Sequence, residues 1–460
     1  MTTRPSRRAL MISYYFPPVG GVGVQRVLKF VAYVPRFGWE PVVVAPGNPG
    51  YGLRDASLMA TLPSTLEVHR TSSAEPGKLP IAAEHLLDRR RGGSTATATD
   101  LTTGSTGGGP VRRVLRKLAI GWNRVWAALL FPDPTVAWVP FAVFAGWRAH
   151  RRKPADAIFS TALPVSTHLA GGMLSGLTGR PWVADFRDPW IGNPLTQPPA
   201  RPKRWLQRRT ERWVVKRAAR VVFAMDALRD MYVARYPEFA AKFVYIPNGY
   251  DRADLAGIEP APYEPGRFHV LFAGSLYRPQ ELDAFLLGVE RLLLRRPEFR
   301  DRLRVHFVGR VNEANGRTAA EFGRPERLGD VVSFEGFVPR PVALARIAGA
   351  DVLLQLMPDI KGTEIFVGGK LLEYLAFDRP ILAVMPPGEG RRLVDSLPLG
   401  RSADVEPDSV AHALEGLLDD PPAPGPTDPE GRYDRVNLAR ELAGVLDEVV
   451  AEHEARKGRR

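Results

Sequence analysis

Short apolar runs alternate with helical patterns along nearly the whole of this chain. Each run has four or five residues and is rich in Val, Ile, Leu, Phe and Trp, and turn residues separate it from the next pattern. This alternation predicts βα units and mainly parallel sheets, so the predicted fold class is α/β. The predicted strands are Leu10–Tyr14, Pro41–Ala45, Leu66–His69, Ala157–Ser160, Trp182–Asp185 and Arg220–Ala224, followed by His269–Ala273, Val305–Val308, Val331–Glu335, Asp351–Gln355 and Ile381–Val384.

The chain has 460 residues, which is long for a single core and favours two domains. Asp, Gly, Pro and Glu interrupt the pattern near Tyr250–Pro265, where we place the linker. We therefore predict an N-terminal domain over residues 1–250, a C-terminal domain over 266–425 and a C-terminal helix within 429–460.

The composition excludes several classes of protein. There is no cysteine, so disulfides, thiolate metal sites and a cysteine nucleophile are ruled out. The apolar run Ala9–Phe16 is short and ends at two prolines, which is typical of a first strand rather than a signal peptide. The longest other apolar stretch, Thr135–Trp147, is far shorter than the roughly 20 residues that span a bilayer. We expect a cytoplasmic protein.

The net charge of +13 and the pI near 10.0 leave three interpretations open. They are an anionic membrane surface, nucleic acid and a generally arginine-rich composition. Arg112–Pro132 places basic residues among Leu, Ile and Trp at helical spacing. That pattern is typical of an interfacial helix, or of a domain helix with a solvated basic face. No nucleic-acid-binding motif accompanies the charge, so we expect no nucleic-acid partner.

Residues 91–110 are low-complexity Gly, Ser and Thr. Such a segment has too little apolar surface to order itself, so we predict a flexible insertion. It is either a spacer or a mobile lid near a substrate.

The most informative stretch is Gly362–Val384, in which a glycine pair opens an amphipathic helix. Gly368 and Gly369 let the backbone approach a ligand, and a helix start favours a phosphate. Lys370 adds a positive charge there, and the Glu373 carboxylate can accept two hydrogen bonds from a sugar diol. This pattern predicts a phosphate-and-ribose site.

A second glycine loop, Gly20-Gly21-Val22-Gly23, follows the first predicted strand. Its amides can contact a sugar or a diphosphate, although a tight βα turn explains the same residues. Ligands of two-domain α/β proteins bind at the carboxyl ends of the strands, where two domains face each other across a cleft. We expect both glycine loops to line it.

At these residues the chain resembles the GT-B glycosyltransferases of family 4, which have two Rossmann-like domains facing across a cleft. The resemblance covers most of the chain outside about 72–135 and the extreme tail. Its motifs are Phe16–Ala45, Pro181–Trp190, Ile246–Asp251, Val270–Leu282 and Gly362–Val384.

The resemblance implies transfer of a sugar from a nucleoside diphosphate sugar to a polysaccharide, lipid-linked or other cell-envelope acceptor, with retention. It places Gly274 near the leaving diphosphate. Ser275 stands where relatives commonly have Arg, so Arg278 is the candidate substitute, with Lys370 as a second cation. Glu364 is implied as a weaker donor-sugar contact.

In the N-terminal domain the resemblance points to Asp185 and Asp188, which follow a predicted strand. They are candidates for binding acceptor hydroxyls or for acting as a base, and Arg187 stands where many relatives have His. The alternative is a local salt bridge between these carboxylates and Arg187.

No cofactor beyond the donor is expected, and no metal, because neither a paired-Asp motif nor a His and carboxylate cluster with ligand spacing stands out. The expected partners are a nucleotide-sugar donor, a glycan or lipid-linked acceptor and an anionic membrane surface, which implies peripheral contact with the inner membrane. Two alternatives stay open: a nucleotide-sugar-binding GT-B protein without transfer, whether epimerase-like or a pseudoenzyme, and a membrane-associated scaffold.

Overall fold

The computed structural model describes residues 7–49, 54–75, 130–194, 200–274, 279–309 and 325–459. It contains two parallel sheets, and the chain divides into two compact units. The first unit comprises residues 1–224, 228–246 and 439–460, and the second comprises 225–227 and 247–438.

The sheet of the first unit has seven parallel strands in the order β3-β2-β1-β4-β5-β6-β7. Buried residues fill β4 and β5 completely, as expected where helices cover both faces of a parallel sheet. The strands are β1 Arg7–Ile12, β2 Trp39–Pro46, β3 Glu67–Thr71, β4 Ala157–Thr161, β5 Trp182–Phe186, β6 Arg220–Phe223 and β7 Phe243–Tyr245.

The helices that follow these strands carry apolar stripes. In α1, for example, Val24, Val27, Leu28 and Val31 repeat at helical spacing and are buried. The helices are α1 Val22–Tyr33, α2 Val139–Arg152, α3 Ser166–Thr178, α4 Arg201–Arg217 and α5 Asp226–Arg235.

The sheet of the second unit has six parallel strands in the order β10-β9-β8-β11-β12-β13. Strand order therefore reverses between β8 and β11, which is the switch point of a doubly wound sheet. The strands are β8 Phe268–Ala273, β9 Leu303–Val308, β10 Val332–Gly336, β11 Val352–Leu356, β12 Ile381–Val384 and β13 Gly400–Ala403.

Alternate residues of these central strands pack into two separate hydrophobic cores. Val270 and Leu354 pack into one cluster with the long helices, whereas Leu271 and Leu353 pack into the other. This period of two shows that helices cover both faces of the sheet. The helices are α6 Pro279–Arg295, α7 Pro325–Leu328, α8 Arg340–Gly349, α9 Gly369–Tyr374, α10 Glu389–Ser396, α11 Pro407–Asp419 and α12 Arg435–Gly458.

The last helix, α12, belongs to the first unit from Ala439 onward. Its Leu442, Leu446 and Val449 are buried, and Arg7 donates a 2.8 Å hydrogen bond to Asp447. None of the helices in the described ranges is long and apolar enough to cross a membrane.

The predicted α/β class with two parallel sheets is confirmed. All eleven predicted strands are present within a few residues of their expected bounds. Two further short edge strands, β7 and β13, complete the sheets. Gly400–Ala403 has almost no apolar pattern, and β7 has only three residues. The insertion at 91–110 and the basic stretch 112–129 lie outside the described residues.

Candidate functional site

The carboxyl edge of the second sheet, at its switch point, holds one group of the predicted site residues. Gly274 follows β8 directly, and α9 begins at Gly369 after the loop that leaves β11. A crevice outside the carboxyl ends at such a point is where open α/β sheets bind ligands. The fold therefore brings Gly274 and the Gly368–Glu373 segment to one edge.

Three charged side chains meet here, and we call Arg340, Lys370 and Glu373 the Glu373 cluster. Lys370 Nζ donates to Glu373 Oε2 at 2.6 Å, and Arg340 Nη1 lies 3.0 Å from Glu373 Oε1. The Glu373 side chain is 21% exposed, whereas those of Lys370 and Arg340 are 41% and 56% exposed. The two cations thus extend toward solvent around a largely buried carboxylate.

The environment of Glu373 keeps it ionised. Burial raises the pKa of its carboxyl, but the charges and hydrogen bonds of Lys370 and Arg340 outweigh that effect and hold the pKa below its usual value. An ionised carboxylate beside two cations can accept hydrogen bonds from hydroxyls while the cations contact an anion.

Helix α9 is fixed against the end of β8 by buried contacts. The Tyr374 hydroxyl accepts a 2.9 Å hydrogen bond from the Ala273 backbone N–H, and Leu371 is fully buried. At Gly274 an added Cβ would lie 3.7 Å from Lys370 Cγ, so the lysine stem passes over this glycine. The cluster is therefore held by the β8 end and not by α9 alone.

The end of β9 approaches the same point. Gly309 has φ +126, and a Cβ there would lie 2.0 Å from the Gly274 carbonyl oxygen. Only glycine fits a backbone contact this close. The two strand ends therefore lie together beside Lys370.

Two polar residues at this edge were not predicted from sequence. One is Arg340, which opens α8 after β10 and has no motif around it. The other is Gln355 on β11, which is 6% exposed; among the described residues its Oε1 accepts no hydrogen bond, while its Nε2 donates to the Leu356 carbonyl at 2.8 Å. A polar residue within an otherwise apolar strand was the only available sequence signal.

Gly368 lies against Gln355, since a Cβ on Gly368 would fall 2.8 Å from the Gln355 Nε2. Glu364 is exposed on the short 3-10 turn Thr363–Ile365, and it forms no hydrogen bond or ion pair with the residues of the Glu373 cluster. Ser275 and Arg278 lie outside the described residues. The predicted roles of these residues stay predictions.

The first unit presents its own group at the carboxyl edge of its sheet. Gly20 and Gly21 lie in the loop between β1 and α1, and Gly21, with φ +94, is the residue before the helix. Gly23 lies in the first turn, and its carbonyl accepts a hydrogen bond from Arg187 Nη1. The loop is thus tied to the end of β5.

Arg187 links three chain segments here. Besides Gly23, its Nε donates to the Ala162 carbonyl, after β4, at 2.6 Å. Burial lowers the pKa of Arg187, and the charges of Asp185 and Asp188 oppose this shift. Asp188 follows β5 and is partly buried; burial raises its pKa, opposed by Arg187. A carboxylate with a raised pKa in a partly open position is a suitable proton acceptor.

Asp185 has a different environment. It is 0% exposed, and its Oδ1 accepts from Arg26 Nη2 at 2.8 Å while its Oδ2 accepts from Thr161 at 2.7 Å. The salt bridge considered with Arg187 is thus formed by Asp185 with Arg26. An enclosed carboxylate has no surface for a substrate, so we carry forward Asp188 as the acceptor-side candidate and regard Asp185 as a structural ion-pair partner.

His168 is fully buried on α3, where its Nδ1 lies 2.9 Å from the Ser160 hydroxyl. Burial lowers its pKa to about 3, against the opposing charge of Asp185. In the described ranges no three His, Asp or Glu side chains are arranged to hold a metal ion.

Comparisons with known proteins agree with this architecture. A curated relative, the D-inositol 3-phosphate glycosyltransferase of Paenarthrobacter aurescens (strain TC1), is 28% identical over 268 residues. That alignment covers 55% of this chain and 62% of the relative, so it spans less than two thirds of the relative's length.

Solved structures share the fold across nearly the full length. A glycosyltransferase from Rickettsia africae ESF-5 aligns with TM-score 0.59 and 10% identity, covering 97% of this chain and 99% of the other. Anabaena HepE, solved in complex with UDP and glucose, aligns with TM-score 0.54 and 15% identity, covering 96% and 100%. These likenesses show the GT-B fold.

The glycosyl transferase 4-like domain matches residues 20–249, which is half of the chain. That range contains the first glycine loop, Arg187 and Asp188. The predicted relationship to family 4 glycosyltransferases is confirmed, and the chain belongs to the glycosyl transferase 4-like domain family.

Proposed function

We propose that this protein transfers a sugar from a nucleoside diphosphate sugar to a polysaccharide, lipid-linked or other cell-envelope acceptor, with retention of anomeric configuration. The observation that carries the proposal is the Glu373 cluster at the switch point of the second sheet. It combines a carboxylate for hydroxyls with cations for phosphates on one short segment.

In this proposal Glu373 accepts hydrogen bonds from the donor ribose. Its lowered pKa supports that role, because a carboxylate that stays ionised accepts from two hydroxyls at once. The Gln355 amide, which is buried at the same edge and has an unpartnered oxygen among the described residues, is a further group to orient the donor.

Lys370 and Arg340 would stabilise the negative charge that develops on the leaving diphosphate. The six-residue helix α9 has a weaker aligned dipole than a long helix, so these side chains must supply most of the positive potential. Arg278 is proposed as a third cation on the basis of the family resemblance.

On the acceptor side we propose that Asp188 contacts the attacking hydroxyl. The raised pKa of Asp188 supports a proton-accepting role, and the adjacent Arg187 limits that rise. For retention, the departing diphosphate or a nearby group assists deprotonation of the acceptor. We propose that no metal is required.

The first experiment measures thermal stabilisation of the full chain by UDP, GDP, ADP and TDP. A nucleotide at about 100 times its dissociation constant adds roughly 2.7 kcal/mol to the free energy of unfolding. We expect one base to stabilise the native chain selectively and Glu373→Ala to lose that stabilisation. UDP is the first choice because HepE was solved with UDP.

Glu264→Ala is the matched control. Glu264 forms an i,i+3 ion pair with Arg267 at 3.0 Å in the same unit, but it precedes β8 and so lies at the opposite edge of the sheet. Nucleotide stabilisation should persist in this variant. Equal stabilisation of the native chain and Glu373→Ala would remove Glu373 from the donor site.

Product analysis separates transfer from the alternatives. Mass spectrometry of reactions with the stabilising nucleotide's sugar donors should reveal a glycosylated acceptor and the released nucleoside diphosphate, both with and without EDTA. An isomerised nucleotide sugar without transfer would support the epimerase-like alternative. Nucleotide binding without any product would support a pseudoenzyme.

We also propose peripheral contact with an anionic membrane surface. Large apolar side chains of the first unit are exposed: Phe144 on α2 is 60% exposed, and Trp205 on the arginine-rich helix α4 is 59% exposed. Exposed aromatic residues beside basic ones support binding at a lipid interface.

Vesicle sedimentation tests this contact. We expect binding to vesicles containing phosphatidylglycerol, and loss of most of it when Arg112–Pro132 is replaced by a neutral linker of equal length. Glu373→Ala should bind vesicles normally, because it removes no residue of this surface. Unchanged binding after the replacement would refute a membrane role for that segment.

A further inference from the structure

A cavity of about 490 Å³ lies at the amino edge of the first sheet. It is formed where β5 and β6 begin, beside the ends of α3 and α4 and the last turns of α12. Arg187 and Asp188 follow the opposite, carboxyl end of β5, about 15 Å of strand away. The cavity is therefore separate from the proposed acceptor side, and its volume is within the range of small-molecule sites.

The lining of this cavity is strongly basic. Its titratable side chains are five cations, one carboxylate and one histidine, from five different elements or loops: Arg180, Arg217, Arg220, Lys242, Arg456, Glu452 and His453. Charges of one sign around a concave surface focus the electrostatic potential there.

Two of these cations have unused binding capacity. Within the described ranges, neither the Arg180 nor the Arg217 guanidinium forms a hydrogen bond or ion pair. Arg180 is partly buried after α3, and Arg217 is the last residue of α4. A planar guanidinium is suited to a phosphate, since it can donate two parallel hydrogen bonds.

The other groups are anchored around them. Lys242 Nζ donates to the carbonyls of Lys216 and Ala218 at 2.8 and 3.0 Å, which leaves its third proton available. Arg220 donates to Glu452, with one contact at 3.2 Å. Among the described residues the buried His453 Nε2 has no partner.

The mutual repulsion of these cations is visible in their acid–base equilibria. Burial lowers the pKa of Lys242, and the charges of Arg456 and Arg220 lower it further. Burial likewise lowers the pKa of His453, with Lys457 and Arg180 adding to the effect and Glu454 opposing it. A bound anion would relieve this repulsion.

We propose that this cavity is a binding site for a phosphate group, carried either by a soluble phosphate ester or by a lipid headgroup. Arg180 and Arg217 are its principal ligands, and Lys242 and His453 complete it. Glu452 limits the affinity for phosphate because its carboxylate already forms an ion pair with Arg220. The site lies outside the donor and acceptor residues, so it does not depend on the proposed transfer.

The test titrates the full chain with inorganic phosphate by calorimetry at constant ionic strength. We expect saturable binding that weakens at least about tenfold in the double variant Arg180→Gln/Arg217→Gln. The matched control is Arg295→Gln/Arg401→Gln, which removes the same charge from two exposed arginines of the second unit. This control should bind phosphate like the native chain.

A second variant tests the site in the opposite direction without removing a cation. Glu452→Gln should tighten phosphate binding by about threefold or more, because Arg220 is released to the anion. Nucleotide stabilisation should be normal in all these variants, so failure of the donor-site proposal and failure of this one are distinguishable.

Vesicles identify the source of the phosphate. If a lipid headgroup is the ligand, the native chain and the Arg295/Arg401 control bind phosphatidylglycerol vesicles more tightly than Arg180→Gln/Arg217→Gln does, and free phosphate binds weakly. If a soluble ester is the ligand, only free phosphate distinguishes the variants. Equal behaviour of the two double variants toward both probes would overturn the proposal.

Discussion

At the scale of single residues, the carboxyl edge of the first sheet depends on a buried ion pair. Arg26 and Asp185 are 1% and 0% exposed and lie 2.8 Å apart. Arg26 also donates to the Ile246 carbonyl at 2.8 Å, so one side chain joins α1, β5 and the segment after β7. Such a pair is costly to break, because the remaining charge stays buried without compensation.

We therefore expect Arg26→Met to lower the free energy of unfolding by about 3–5 kcal/mol. Arg212→Met is the control, since Arg212 and Glu238 also lie 2.8 Å apart in the same unit but have side chains 55% and 43% exposed. It should cost less than about 1 kcal/mol. Urea unfolding followed by circular dichroism measures both, and equal losses would contradict the structural role of Arg26.

His168 gives the first unit a dependence on pH. Its folded pKa of about 3 lies below the model-peptide value of 6.5, because burial disfavours the charged ring. Between these values the unfolded chain binds the extra proton. The stabilisation from neutral His168 is thus complete above about pH 6.5 and is lost as the pH falls through the interval toward 3.

Replacing His168 by Gln removes this titration while keeping a polar group near Ser160. Between about pH 7 and about pH 5 the native chain should lose roughly 2 kcal/mol more unfolding free energy than His168→Gln. His306, whose pKa burial lowers to about 4, acts in the same direction in both proteins and cancels in the difference. Parallel pH profiles would show that His168 is not held neutral by the fold.

At the scale of elements, helix α12 packs against the first unit, although it is far from the rest of that unit in sequence. Its Leu442, Leu446 and Val450 are almost fully buried, and Glu452 pairs with Arg220 at the start of β6. Apolar burial contributes most of this attachment, because partly exposed ion pairs add little.

Leu446→Ala should therefore cost about 2–5 kcal/mol of unfolding free energy through lost burial and the cavity it leaves. Glu454→Ala, on the exposed side of the same helix, should change stability by less than about 0.5 kcal/mol. Thermal or denaturant unfolding checks both. A Leu446 effect as small as that of Glu454 would mean that the helix is dispensable for the unit.

The edge strands show where local pattern has little predictive value. β13 pairs with β12 over Gly400–Ala403, yet its sequence is mostly small or polar. Its position follows from the backbone N–H and C=O groups of β12 at the sheet edge. These groups need hydrogen-bond partners, regardless of which side chains the pairing strand carries. A pattern search over side chains does not detect such a strand.

At the scale of the whole molecule, each unit has the strand order of a doubly wound sheet, and each gathers polar residues at its carboxyl edge. The basic character of the chain is also locally concentrated. In the first unit the amino-edge cavity alone collects five of its cations. The total charge of +13 does not reveal this local concentration of cations.

The sequence alone determined the α/β class, eleven strands, the family and the two glycine loops. These are local properties: an apolar run, a helical period or a glycine that must accept a close backbone contact is specified by neighbouring residues. The proximity of Lys370 and Glu373 is local too, because about one helical turn separates them.

Only the tertiary structure decided which distant side chains meet. Arg26 joins Asp185 across 159 positions, Arg340 joins Glu373, and Arg180, Arg217 and Lys242 line one cavity. No local pattern specifies these partners, since a charged residue on an exposed face looks the same as one aimed at a partner. The order of the strands brings them together, and burial then makes each pairing energetically significant.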